Sequence, residues 1–164
     1  MMHGGPFPGV VVGLFPHPIE PQTLYLAAFG GGVYRSVDGG RRWFSVSRGL
    51  GDLSVLTLAI DPVSPRTLYA GTDSGVFVSR DGGEAWRRPA NALAGRNVRS
   101  LVVVPSNPMV LFAVTNEGVA RSRDRGTSWT PRNTGLRSTD LRVLRLDPFR
   151  PARLFAAGFG GVFR

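Results

Sequence analysis

The sequence predicts an all-β fold built from four-stranded antiparallel units, and three observations carry that prediction. An eight-residue motif, SVDGGRRW at Ser36 to Trp43, recurs as SRDGGEAW from Ser79 and as SRDRGTSW from Ser122, about 43 residues apart each time. Each period contains short runs of β-branched and aromatic residues separated by turn signals. The composition holds 22 Gly and 13 Pro in 164 residues, a turn-rich balance that still falls short of the range for disorder.

Within one period the elements follow in order. The first strand is expected at Val55 to Ile60, with counterparts at Val98 to Val103 and Leu141 to Leu146. A Pro-x-x-Pro turn ends it, because proline has no N–H to give to a ladder. The second strand follows at Thr67 to Gly71, then a glycine-bearing turn, then the third at Gly75 to Ser79. The repeated motif turns the chain into a fourth strand beginning near Trp86. Four antiparallel strands in about 40–45 residues is the period of a β-propeller blade. The expected units are 10–52, 53–95, 96–138 and an incomplete fourth at 139–164. The chain ends after the third strand of that fourth unit, and MMHGGPFPG at the N-terminus makes a poor replacement strand. A longer propeller, or a homodimer in which two copies complete one ring, is the expectation that follows.

The motif has a mechanical reading. Asp38, Asp81 and Asp124 are placed to accept backbone N–H groups of the turn. Gly40, Gly83 and Gly126 allow a positive φ, and Trp43, Trp86 and Trp129 are expected to be buried over their hairpins. The S-x-D-x-G-x-x-W pattern resembles the Asp-box (sialidase-type, BNR) repeat. That repeat is found in sialidases, xyloglucan-cleaving glycoside hydrolases, sortilin-type receptors and photosystem II assembly factors. The likeness extends from Val10 onward. It implies the propeller fold and leaves activity open, since in those families the box lies away from the active site.

Blade geometry sorts the loops into two faces. The Pro-x-x-Pro turns and the motif turns share one. The turns between second and third strands share the other with the unit-to-unit connectors, and the resemblance places ligands on this connector face. Its candidate ligand-binding residues are Phe29, Arg96, Asn116, Arg137 and Asp140, with Asp52, Ser74, Asn97 and Phe159 nearby. Asp73 and Glu117 occupy similar turns on successive units and are the only candidates for a catalytic pair. A glycosidase needs two carboxylates about 5–10 Å apart. The Phe/Tyr-Arg-Ile-Pro segment that usually accompanies a sialidase is missing, and Tyr25, Tyr34 and Tyr69 sit at core positions of the repeat.

No cofactor or metal site is expected. His3 and His17 are poorly spaced for one, and His17 falls where the other repeats have Asp61 or Asp147 before proline. GGG at Gly30 to Gly32 and FGG at Phe159 to Gly161 read as hairpin turns, without a helix to make them phosphate loops. There is no Cys, no apolar run of membrane-spanning length and no basic start of a secretory signal, which leaves the compartment open. The net charge of +9 rests on 20 Arg and no Lys, spread along the chain. Arg41, Arg42, Arg87, Arg88, Arg123 and Arg125 flank the motif tryptophans, so an acidic partner on an Arg-rich rim is one reading. Three function classes stand at this point. They are a non-catalytic binding or scaffolding propeller for a protein or glycan, a fragment of a xyloglucan-cleaving or sialidase-type glycoside hydrolase, and a module like the assembly factors.

Overall fold

A computed structural model describes residues 9–150, 153–159 and 161–164. His3, most of the N-terminal segment judged a poor strand, Pro151 and Gly160 lie outside the described residues. The described residues form four antiparallel sheets and no helix. The first sheet is β1 (Val10–Pro16), β2 (Leu24–Phe29), β3 (Gly32–Ser36) and β4 (Phe44–Ser45). The second is β5 (Val55–Ile60), β6 (Leu68–Thr72) and β7 (Gly75–Ser79). The third is β8 (Val98–Val103), β9 (Leu111–Thr115), β10 (Gly118–Ser122) and β11 (Thr130–Pro131). The fourth is β12 (Leu141–Leu146), β13 (Leu154–Gly158) and β14 (Gly161–Phe163). The fourth strands are shorter than the sequence suggests. In the second sheet one is reduced to a single bridge, Val78 to Arg87, because Pro89 ends the ladder two residues later.

Each sheet packs on the next in chain order through its first strand, and three of the buried clusters lie between successive sheets. Tyr25, Val33, Val55 and Phe77 join the first and second. Tyr69, Val76, Val98 and Leu111 join the second and third, and Val114, Val119, Leu141 and Leu144 the third and fourth. Among the described residues no sheet covers the outer side of the first sheet, and Val10, Val11, Val12 and Leu14 of β1 are exposed. The counterparts of Val11 and Leu14, which are Val55 and Leu58 in the second sheet and Val98 and Leu101 in the third, are buried under a neighbour.

Backbone hydrogen bonds confirm how the loops divide. Motif turns bond to the turns after the first strands, as in Gly39 N–H to Gln22 C=O and Gly82 N–H to Arg66 C=O. The turns between second and third strands bond to the connectors, as in Asp73 N–H to Ser54 C=O and Asn116 N–H to Asn97 C=O. His17 does what Asp61 and Asp147 do in their repeats. Its Nδ1 accepts Glu20 N–H at 2.9 Å, as Asp61 Oδ1 accepts Ser64 N–H at 2.9 Å and Asp147 Oδ1 accepts Arg150 N–H at 3.0 Å.

The motif turn is built around its serine as much as its aspartate. Ser36, Ser79 and Ser122 are buried, and each Oγ accepts the glycine N–H at 2.9 Å while donating to the aspartate. The aspartates accept from the residue four positions on, Arg42, Ala85 or Ser128. The tryptophans correct the expectation of uniform burial. Trp86 is 2% exposed because its indole N–H reaches across to Val46 C=O of the first unit at 2.7 Å. Trp43 and Trp129 donate within their own turns, to Gly40 and Gly126 C=O, and stay half-buried.

Candidate ligand-binding face

The four sheets share an irregularity that the sequence does not announce. Pairing of the first strand with the second shifts register between Val11 and Gly13, Val55 and Thr57, Val98 and Ser100, and Leu141 and Val143. The residues set in these bulges are Val12, Leu56, Arg99 and Arg142. A bulge bends its strand and re-aims a side chain, here beside the connectors. Leu56, Asn97, Arg99 and Arg142 line one open recess of about 360 Å³.

A polar chain crosses this face over three sheets. Asp73, in the β6–β7 turn, accepts from Asn97 Nδ2 at 2.5 Å, and Asn97 Oδ1 accepts from Arg99 Nε at 3.1 Å. Arg99 Nη1 reaches Asp140 at 3.0 Å and Leu141 C=O at 3.2 Å. Asp140 also faces Arg142 Nε at 3.5 Å. The Arg142 guanidinium lies 5.2 Å from the centre of the Phe159 ring, which is 68% exposed. One turn away, Glu117 is ion-paired with Arg96. Asp52 accepts from Ser54 N–H. Burial pulls its carboxyl upward, but hydrogen bonds from Ser54, Ser74 and Thr72 outweigh that and hold it below the ordinary value.

Of the residues singled out in the sequence, Asp140 lies inside this chain and Asp73 at its end. Arg96 pairs with Glu117 beside it, and Asn116 contributes its backbone N–H to Asn97. Phe29 is exposed at the end of β2 in the first sheet, and Arg137 is exposed in the third connector. Arg99 and Arg142 escaped the sequence reading because they lie inside strands. Only their shared place in the repeat, second in VRS and LRV, could have flagged them.

No protein-family model and no curated protein sequence matches the chain. Solved structures do. A GH74 xyloglucanase from Xanthomonas campestris superposes with a TM-score of 0.74 at 19% identity, over 95% of this chain and 29% of its own. YCF48 from Cyanidioschyzon merolae gives 0.71 at 15% identity, over 100% and 56%. An auxiliary nutrient binding protein from Bacteroides thetaiotaomicron gives 0.69 at 16% identity, over 92% and 36%. The chain has the β-propeller fold. It spans little more than half the length of YCF48 and about a third of the other two propellers. At these identities the likeness carries the fold alone.

Proposed function

We propose that this chain is a non-catalytic binding propeller whose connector face takes an uncharged ligand, with a glycan the chemistry it fits best. One observation carries the reading: the acids on that face are already engaged. Asp73 is tied to Asn97, Glu117 to Arg96, and Asp140 to Arg99 and Arg142. A glycosidase pair would have to give up these partners to meet a sugar. In the chain Asp73–Asn97–Arg99–Asp140–Arg142 the two acids balance the two guanidiniums, so the face offers alternating donors and acceptors without net charge. Sugar hydroxyls both donate and accept, and an exposed ring such as Phe159 suits the apolar face of a pyranose. The propellers of similar fold include a nutrient-binding protein and YCF48 bound to D1 peptide, which supports a binding role without specifying the ligand.

Affinity electrophoresis through gels containing xyloglucan or mixed-linkage β-glucan tests this reading. Retardation that Phe159→Ala and Arg142→Ala each abolish is the expected result. Absence of retardation would turn the reading towards a protein ligand on the same face, and retardation unaffected by both variants would remove this face from it.

A further inference from the structure

The net positive charge is not spent on the connector face. Part of it lines a groove of about 560 Å³ between the second and third sheets. Arg80, Arg87, Arg88 and Arg125 line it with Asp81; of the four, Arg125 faces the buried Asp61, and Arg88 donates to Ser74 C=O at 3.4 Å and lies over the Phe77 ring. The Asp81 carboxylate already accepts from Ser79 at 2.7 Å and from Ala85 N–H at 3.0 Å.

The matching groove between the first and second sheets shows what a self-satisfied version looks like. There Arg35 pairs with Glu84 at 2.9 Å, and both Arg35 and the Tyr25 hydroxyl donate to Gly82 C=O at 3.1 Å. Glu20 lines the same recess. One repeat later Thr127 stands for Glu84 and Ser64 for Glu20, while Asp61 stands for His17 and Asp124 for Asp81. Arg80 replaces Val37, and Val78 replaces Arg35. The second groove has exchanged two exposed acids for uncharged side chains, and the acid it gains, Asp61, is buried and faces Arg125. Arg80 and Arg87 have no acid partner among the described residues.

Arg125 marks the groove independently. Its φ is 57°, in the left-handed region where the other two motif turns place Gly39 and Gly82. A side chain in that region is strained, and such residues persist where the surroundings hold them. The holding group is Asp61, wholly buried, whose Oδ2 lies 3.5 Å from Arg125 Nη1 and accepts no hydrogen bond. The guanidinium is therefore fixed from behind by a buried carboxylate.

We propose that this groove docks an acidic, extended peptide segment. Guanidinium forks match carboxylates in two-point geometry, and those of Arg80 and Arg87 have no acid partner among the described residues. The rest of the lining is Val78, Ala85, Pro89 and Thr127. With no aromatic ring there, nucleic-acid bases find nothing to stack on.

The test is fluorescence anisotropy of the full chain with labelled hexaglutamate at low salt, with hexaglutamine and oligo-dT as comparison probes. Hexaglutamate is expected to bind, to weaken steeply with added salt, and to lose at least about tenfold in affinity in Arg80→Ala/Arg87→Ala. Both side chains are exposed and unpaired, so that variant keeps its fold. Arg41→Ala/Arg42→Ala, which removes the same charge from the first motif turn, should leave binding within about twofold. Equal losses in both variants would reduce the effect to net charge and overturn the site. Failure of hexaglutamate to bind would also overturn it, and tighter binding of oligo-dT through Arg80 and Arg87 would replace the peptide with nucleic acid.

Discussion

Replacing Ser79 with alanine removes one oxygen from a side chain with no exposed surface. That oxygen accepts the buried Gly83 N–H at 2.9 Å and donates to Asp81 at 2.7 Å. The change leaves a buried donor without a partner, which costs about 1–3 kcal/mol. At about 2–4 °C per kcal/mol for a chain of this size, a loss of about 2 kcal/mol lowers Tm by about 4–8 °C. Asp81→Ala should cost less, about 1 kcal/mol, because its chief backbone partner, Ala85 N–H, is only partly buried and can turn to water. Thermal unfolding followed by near-ultraviolet circular dichroism reads both. A Tm for Ser79→Ala within 1 °C of the parent, or an Asp81→Ala loss larger than that of Ser79→Ala, would refute the account of the turn.

The two equivalent tyrosines should part company. Tyr25→Phe loses a buried hydrogen bond to Gly82 C=O and should cost about 1 kcal/mol, whereas Tyr69→Phe discards a buried hydroxyl with no partner and should leave Tm unchanged or raised. Burial and the nearby Asp61 carboxylate push Tyr69 up to about 12. The unfolded chain ionises this group first, so folding is unaffected by it below about pH 10 and is increasingly disfavoured as pH rises towards 12; Tyr69→Phe should flatten the alkaline limb, and an unchanged limb would contradict this. Asp38, Asp81 and Asp124 are all held below the ordinary 3.8. The Arg42 and Ala85 N–H groups are the main cause for the first two, and for Asp124 bonds from Ser128 overcome its burial. Their stability is present above about pH 4 and lost as pH falls through the lowered values, and a triple Asp→Asn variant should lose that acid dependence. The uncovered valines of β1 lead us to expect self-association, and light scattering that reports a monomer of 17.7 kDa at low micromolar concentration would contradict it.

Much of the fold was legible because the repeat writes each element several times. Val55–Ile60, Val98–Val103 and Leu141–Leu146 are strands as the pattern predicts, since alternation and Pro-x-x-Pro boundaries are local signals. What escaped depends on neighbours. Trp86 is buried and Trp43 is not, because what each indole meets is decided by the adjoining sheet. The sequence reading assigns roles to the Asp, Gly and Trp of the motif and none to its serine, which proves to be the acceptor for the glycine N–H. The candidate site was half legible. Asp73, Glu117, Asp140 and the Arg96 that pairs with Glu117 stand out in the sequence, but Arg99 and Arg142, which engage Asp140, come from bulged strand positions.

The central claim, that the connector-face carboxylates are bound into a recognition surface and do not catalyse, is tested most directly by reducing-sugar release. The chain would be incubated with xyloglucan and a panel of aryl glycosides beside Asp73→Asn and Glu117→Gln. The account predicts no release above the buffer control from any of the three proteins. Hydrolysis by the parent chain that either substitution abolishes would contradict it.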